Sequence, residues 1–166
     1  MMNADNVKVR KRLMTGVIIL LVVVIGGFLA GRLFLVEQLS PRPDNLGVTD
    51  GQLTACPNTP NCVNSQAEGG YAAIDPIPFN GSVTDAKAKM LNIIQGMERT
   101  QVIEQTDTYI YAEFRSALWG FIDDVEFYFD TTDGVIHFRS ASRLGRSDLQ
   151  ANRQRMMDIR RRFESA

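Results

Sequence analysis

A stretch without any charged side chain, Leu13 to Gly31, limits what the N-terminal part of the chain can fold into. Val, Ile and Leu dominate it, and the apolar residues 33–36 extend it beyond Arg32. Such a segment is long enough to cross roughly 30 Å of hydrocarbon as a helix, and the long stem of an arginine near its end can reach the interface. We therefore predict a transmembrane helix over residues 13–36.

The charges beside this segment predict its orientation. Basic residues precede it at Lys8, Arg10, Lys11 and Arg12, and positive residues stay on the cytoplasmic side of a membrane. We expect residues 1–12 in the cytoplasm, an uncleaved signal anchor, and the rest of the chain in the periplasm or a lumen. A cleaved signal peptide is the alternative, but its apolar core is typically shorter and no small-residue cleavage site is convincing here.

The part of the chain beyond this segment has the size of one domain. Pro41 and Pro43 cannot continue a helix, so residues 37–46 are predicted to form a linker. About 120 residues remain, 47–166, enough for one modest hydrophobic core. The net charge of −1 gives no overall field that would attract nucleic acid, so we expect no such partner.

Cys56 and Cys62 are the only two cysteines. On the outer side of a membrane such a pair is first interpreted as a disulfide. A zinc site needs four Cys or His ligands, while this chain offers two cysteines and His137. A redox dithiol usually shows C-x-x-C at a helix start, which this spacing does not match. We expect a structural disulfide, no metal site and no cofactor.

Sequence patterns beyond the cysteines predict an α+β domain. Ser82 and Asp85 suit the start of a helix, and apolar residues follow at helical spacing. Extended or alternating patterns predict strands at Ala72 to Phe79, Thr100 to Glu104, Tyr109 to Arg115 and in a hairpin around Thr131 to Gly134. The expected order is roughly β-α-β-β-β-β-α, an antiparallel sheet packed on one face by both helices.

The residues on both faces of the hairpin predict its register. A four-residue turn pairs Phe127 with Phe138 and Glu126 with Arg139. It also leaves Asp124 diagonal to Arg139 and Arg143, so that apolar residues meet on one face and opposite charges on the other. A shift by one residue would destroy both matches.

A final helix is predicted after Gly145. Ser147 and Gln150 fit a capping box, and the inward face is expected to carry Leu149, Asn152, Met156, Ile159 and Phe163. A cluster of cations, Arg160, Arg161 and Arg162, suits the C-terminal end of the helix dipole. We weigh a contact of this cluster with anionic lipid against a solvated helix end.

The loop from Ser116 to Gly120 carries the only tryptophan, Trp119, beside Leu118. Such a loop can be an interaction tip that touches a partner or a membrane. We favour the other interpretation, a lid that folds back on the core.

Several segments resemble the motifs of a known family: C-P-N-T-P-N-C-V-N-S at 56–65, F-I-D-D-V-E-F at 121–127, and R-S-A-S-R-L-G-R-S-D with N-R-Q-R at 139–155. From roughly Leu46 to the C-terminus the chain resembles the uncharacterised DUF1499 family of bacteria and plastids. Arg146 and Gln150 stand where the family motif commonly shows an aromatic residue and a glycine. The resemblance implies no activity, since the family has none established.

Charged and polar residues are dense in the second half of the chain. We expect these to converge where the open end of the hairpin meets the last helix: Asp123, Asp124, Glu126, Arg139, Ser142, Arg143, Ser147, Asp148, Asn152, Arg153 and Arg155. They could form a network of Arg–carboxylate pairs, hold a phosphate or carboxylate, or act in acid/base catalysis. No Ser–His–Asp set is visible, and His137 is expected to be a solvated residue of the sheet face.

These patterns predict a membrane-anchored extracytoplasmic module that binds or assembles with a membrane or envelope complex. The anchor, the short linker and the absence of a catalytic set favour this function. The alternative is an enzyme or a small-anion receptor that uses the polar residues between 123 and 155. A concave pocket with unpaired arginines would support the alternative, whereas arginines that all bind carboxylates would argue against it.

Overall fold

The computed structural model describes residues 4–165. The first three residues of the predicted cytoplasmic segment and Ala166 of the predicted domain lie outside the described residues. The chain divides into two compact units, the first ending at Leu39 and the second beginning at Ser40.

The first unit is a single helix, α1 (Ala4–Leu39). Its part Arg10–Leu39 is long and apolar enough to cross a membrane, by length and composition. The successive apolar side chains from Val17 to Ile25 all lie exposed. A helix of a soluble domain would cover such a surface, because large exposed apolar patches are rare on soluble proteins.

The second unit is an α+β domain, which confirms the predicted fold class. Its elements are β1 (Val48–Thr49), β2 (Gln52–Leu53), β3 (Cys62–Asn64), β4 (Ile77–Pro78), α2 (Val83–Gln95), β5 (Thr100–Gln105), β6 (Tyr109–Arg115), β7 (Ile122–Asp130), β8 (Val135–Ser142) and α3 (Ala151–Ser165). The main sheet is antiparallel, with the order β3-β8-β7-β6-β5 and β4 beside β8. The sequence patterns did not predict β1, β2 and β3, which are too short to show a period.

The hydrophobic core lies between one face of the main sheet and the helices α2 and α3. Its strand residues include Ile110, Phe127 and Phe138, all fully buried. The helices bury matching stripes, Ala86, Met90 and Ile94 from α2 and Met156, Ile159 and Phe163 from α3. Both helices therefore cover the same face of the sheet, as the alternation of the strands predicts. We call it the helix face.

The hairpin β7–β8 has the predicted register. Phe127 lies opposite Phe138, and Glu126 lies opposite Arg139. The turn brings Asp130 opposite Val135, with Gly134 in the left-handed region at φ 66°. This register decides which polar residues can meet across the sheet.

The two helix starts differ in how well the sequence predicts them. Ser82 caps α2 as predicted, because its hydroxyl accepts from the backbone N–H of Asp85 at 3.1 Å. The capping box at Ser147 is wrong, since α3 begins only at Ala151. The Asp148 carboxylate caps instead and accepts from the backbone N–H groups of Gln150 (3.0 Å) and Asn152 (2.8 Å).

The turn before α3 also moves Leu149 away from the core. Leu149 and Gln150 have positive φ values of 54° and 68°, so the chain reverses its local direction before the helix begins. Leu149 is 87% exposed, and its prediction as an inward helix residue is wrong.

The other face of the sheet is covered by the chain segment 40–53, and we call it the covered face. The backbone N–H of Gly47 donates to Glu126 at 2.7 Å, and Leu53 packs against Tyr109 and Tyr111. The tyrosines therefore point away from the helices, as the alternation predicts, but they are buried.

Candidate functional site

The predicted site residues do not converge at one place, because the sheet separates them. Successive residues of a strand point to opposite faces, so the neighbours Asp123 and Asp124 belong to different clusters. On the covered face lie Asp124, Glu126, Arg139 and Arg143. On the helix face lie Asp123, Ser142, Asp148, Asn152 and Arg155.

Arg143 is the centre of the cluster on the covered face. Its Nη2 donates to Asp124 Oδ1 at 2.7 Å and to Glu113 Oε1 at 2.6 Å, and its Nε donates to Asp124 Oδ2 at 3.0 Å. Its Nη1 donates to the carbonyl of Ser40 at 3.2 Å. The Tyr111 hydroxyl donates to Asp124 Oδ1 at 2.6 Å. This guanidinium thus neutralises two buried carboxylates from two neighbouring strands.

Glu113 and Tyr111 in this cluster have protonation states that are fixed near neutral pH. Burial alone would raise the pKa of Glu113, but hydrogen bonds from Arg143 and Arg42 outweigh it and lower the pKa below 4.5. Burial, aided by the hydrogen bond to Asp124, raises the pKa of Tyr111 above its ordinary value of 10.0. Glu113 therefore stays ionised and Tyr111 stays neutral, so neither is tuned for proton transfer near pH 7.

Glu126 forms a second ion pair on the same face. Its Oε2 accepts from Arg139 Nη1 at 3.2 Å, and its Oε1 accepts from the Tyr109 hydroxyl at 2.9 Å and from the backbone of Gly47. Burial and the Glu126 charge raise the pKa of Tyr109. Among the described residues, Arg139 Nε finds no acceptor.

Asn152 is the centre of the cluster on the helix face and is fully buried. Its Oδ1 accepts from Ser140 Oγ and from Arg155 Nη1, both at 2.6 Å. Its Nδ2, with two hydrogens to donate, lies within hydrogen-bond distance of three acceptors, namely the Asn61 carbonyl (3.0 Å), Ser142 Oγ (2.9 Å) and Asp148 Oδ2 (2.8 Å). One amide therefore joins α3 to β8 and to the cysteine loop.

Arg155 completes this cluster. Its Nη2 lies 2.5 Å from Asp123 Oδ2, and its guanidinium lies over the ring of Phe114, 4.8 Å from the centroid. Both faces of the sheet thus hold arginines that bind carboxylates.

Arg153 and Ser147 lie outside both clusters. Arg153 donates to the backbone carbonyls of Tyr71 and Ala73, and Ser147 is exposed in the turn before α3. Arg153, with Arg160 and Arg161, borders a groove of about 490 Å³ that also contains the acids Asp75 and Glu164.

The cysteine loop closes with the predicted disulfide between Cys56 and Cys62. The loop borders a cleft of about 480 Å³ whose other lining residues include Gln52, Asn64, Gln66 and Tyr71. The lining of this cleft includes no charged side chain among the described residues. Its surface suits hydrogen bonding more than the binding of ions.

His137 is half-buried, not solvated as predicted. Its Nδ1 lies 3.3 Å from Ser65 Oγ, and its ring stacks on Tyr128 with a centroid separation of 6.2 Å. Burial lowers the pKa of His137 below 6.5. In the part of the chain that the structure describes, no group of three or more His, Cys, Asp or Glu residues is placed to hold a metal ion.

The sequence patterns did not single out four residues of these clusters: Asn61, Tyr109, Tyr111 and Glu113. A signal existed for Glu113, because it lies directly opposite Asp124. Like charges in such a pair are destabilising unless a cation joins them. The pairing of β6 with β7 was needed to see it.

Comparison with curated proteins gives no match. A family model described as "Protein of unknown function (DUF1499)" matches residues 52–163. This range runs from β2 nearly to the end of α3 and includes both polar clusters and both cysteines. The resemblance seen in the sequence is confirmed, and the chain belongs to the DUF1499 family.

Proposed function

We propose that this protein is a single-pass membrane protein whose α+β domain lies outside the cytoplasm and acts as a binding or assembly module for a membrane or envelope complex. The observation that carries the proposal is the pairing within the polar clusters. Arg139, Arg143 and Arg155 each bind a carboxylate. Such pairs fix strands and helix in place and leave little chemistry for a substrate.

The first unit supports the anchor. The helix α1 exposes an apolar surface over Val17 to Ile25, which lipid would cover. Basic residues precede it at Lys8, Arg10, Lys11 and Arg12, in agreement with a cytoplasmic N-terminus.

The disulfide supports the location of the second unit. Disulfides persist outside the cytoplasm and are rare within it, and Cys56 is bonded to Cys62. A domain on the far side of the membrane is consistent with this bond. The domain begins at Ser40, directly after the last residue of α1, which favours a role close to the membrane surface.

Purification from gently solubilised membranes tests the proposal. We expect the full chain to migrate as a complex of fixed stoichiometry that is larger than the monomer. A chain with an unrelated transmembrane helix in place of residues 13–36 should keep this complex, since the domain makes the contact. Recovery of both forms only as free monomers would argue against an assembly role.

One observation supports the alternative function, a receptor for a small anion. Among the described residues, Arg153 contacts the backbone carbonyls of Tyr71 and Ala73 and the ring of Tyr71 but no carboxylate. It borders the groove with Arg160 and Arg161. The acids Asp75 and Glu164 in the same groove oppose an anion. Calorimetric titration with inorganic phosphate distinguishes the two functions: we expect no saturable binding, whereas binding that is lost in Arg153→Gln would favour the receptor.

A further inference from the structure

The structure shows at which end the chain enters the α+β domain. The carbonyl of Ser40, the first residue of the domain, accepts from Arg143 Nη1 at 3.2 Å. The backbone N–H of Arg143 donates to the carbonyl of Ile122 at 3.0 Å, and Ile122 pairs with Arg115 at the end of β6. Ser40 therefore lies where β6 and β8 end and β7 begins, and we call this the proximal end.

The chain is fixed to the domain immediately after Ser40. Arg42 binds Glu113 at 3.0 Å, and the backbone of Gly47 binds Glu126 at 2.7 Å. The segment predicted as a linker is thus held on the covered face along much of its length. The domain is therefore held by contacts that begin at its first residue, which directly follows α1 in the chain.

Large apolar side chains protrude at the proximal end. Leu118, Trp119 and Phe121, in the loop between β6 and β7, are 66%, 49% and 41% exposed, and Leu149, before α3, is 87% exposed. A lid packed on the core would bury Leu118, which is largely exposed, so the lid expected from the sequence is wrong. Exposed apolar residues grouped in this way mark an interaction surface.

The loop is held open by its own hydrogen bonds. The backbone N–H of Ser116 donates to the Phe121 carbonyl at 2.9 Å, and the backbone N–H of Gly120 donates to the Ser116 carbonyl at 3.1 Å. The backbone N–H of Phe121 donates to Ser116 Oγ at 3.0 Å. The apolar side chains therefore protrude from an ordered turn.

The opposite end of the same sheet has a different character. Its hairpin tips are polar, with Thr106 and Asp107 between β5 and β6 and Thr131 to Asp133 between β7 and β8. Four of the large exposed apolar side chains of the second unit thus lie at the end where the chain enters the domain, while Met157 lies in the middle of α3. Lipid explains this asymmetry, because tryptophan and other amphipathic or apolar side chains gather at the membrane–water interface.

We propose that the proximal end rests in the membrane interface, with Leu118, Trp119, Phe121 and Leu149 at the boundary of headgroups and acyl chains. This inference rests on the proposed membrane anchor, since Ser40 at the proximal end directly follows α1 in the chain. The contact with lipid sets the distance of the domain from the bilayer and leaves the polar end of the sheet facing away from the membrane.

The single tryptophan makes the proposal measurable. The full chain is reconstituted into vesicles of equal parts phosphatidylcholine and phosphatidylglycerol, and Trp119 fluorescence is quenched from two sides. Lipids brominated high on the acyl chain report contact with the interface, and acrylamide in the buffer reports exposure to water. We expect at least a two-fold quenching by the brominated lipid and weak quenching by acrylamide.

Variants separate this contact from an incidental one. Leu118→Ser with Leu149→Ser should reduce the bromolipid quenching at least two-fold. Both side chains are exposed, so the double variant should keep its fold, which circular dichroism checks. Met157→Ser removes an exposed apolar side chain from the middle of α3 and should change nothing. Arg161→Gln with Arg162→Gln, at the other end of α3, should also change nothing.

The outcomes distinguish this inference from the proposed function. Extraction of the vesicles at alkaline pH shows whether the chain is anchored. An anchored chain whose Trp119 is quenched by acrylamide and not by brominated lipid overturns the interface contact and leaves the anchor intact. Shielding of Trp119 from both quenchers would indicate a contact with protein, and it would also overturn the proposed contact with the membrane interface. A chain that alkaline pH extracts would contradict the anchor itself.

Discussion

Arg143 and Asp124 form a two-pronged ion pair in which both side chains are buried, with Nη2–Oδ1 and Nε–Oδ2 distances of 2.7 and 3.0 Å. The same guanidinium reaches Glu113 at 2.6 Å. One cation thus lies between two carboxylates that face each other across β6 and β7, and it ties both strands to Ser40, where the domain begins.

Removal of this cation should destabilise the domain strongly. Arg143→Met leaves Asp124 and Glu113 buried without their main partner, so we expect the free energy of unfolding to fall by about 3–5 kcal/mol. Arg161→Met removes an exposed pair with Asp158 and should change it by less than about 1 kcal/mol. Denaturant titration in detergent, followed by Trp119 fluorescence, compares them. Equal effects would contradict a central role for Arg143.

Asn152 should be the most sensitive polar position of α3. Asn152→Ala leaves several buried donors and acceptors without partners, and we expect a loss of roughly 2–3 kcal/mol in the free energy of unfolding. Gln154→Ala, on the exposed side of the same helix turn, is the matched control and should stay within about 0.5 kcal/mol. The same denaturant titration applies. A loss no larger than that of the control would show that the network is not needed for stability.

The start of α3 gives a test between two caps. Asp148→Ala removes the carboxylate that accepts from the backbone of Gln150 and Asn152, and it should lower the free energy of unfolding by about 1 kcal/mol. Ser147→Ala should have an effect below about 0.5 kcal/mol. A capping box at Ser147 would produce the reverse order, so the two melting curves decide between the caps.

Stability should depend on the protonation of His137. Burial places the pKa of folded His137 below 6.5, so the unfolded state binds more protons in this range. The free energy of unfolding is therefore constant above the pKa that His137 has in the unfolded chain. It falls as the pH decreases through 6.5 toward the pKa of folded His137. His137→Gln should flatten this slope between about pH 5 and 8.

Glu113 affects the stability of the domain in a separate, more acidic pH range. Its pKa is lowered below 4.5, so its contribution to stability is present above that value and is lost as the pH falls toward the folded pKa. Denaturation midpoints plotted against pH across both ranges should show two sloping regions in the native chain. The His137→Gln protein should show only the sloping region at acidic pH. A His137→Gln protein that keeps the slope near 6.5 would assign it to another group.

Much of the fold follows from local patterns. The alternation around Phe127, the helical stripe that contains Met90 and Ile94, and the turn before Gly134 suffice to predict the strands, the helices and the hairpin register. These signals depend on residues that are only a few positions apart, and a one-residue error would place charges in the core. The disulfide followed from the number and setting of the cysteines.

The division of the polar residues was also present in the sequence, because a period of two places Asp123 and Asp124 on opposite faces. The density of charged residues in the second half of the chain suggested one site. The two-residue period of a strand implies two clusters, one on each face of the sheet. Only the fold shows which arginine each acid binds, since Arg155 reaches Asp123 from α3 and Arg143 reaches Asp124 from the end of β8.

The sequence by itself determined an apolar N-terminal helix, an α+β domain and the register of its central hairpin. The tertiary structure decided that the outward face of the sheet is covered, that Asp148 caps α3, and that Trp119 protrudes where the domain begins. The physical reason is distance along the chain. The contact of Ser40 with Arg143 spans 103 residues and that of Gly47 with Glu126 spans 79, and such contacts leave no periodic signal in the sequence.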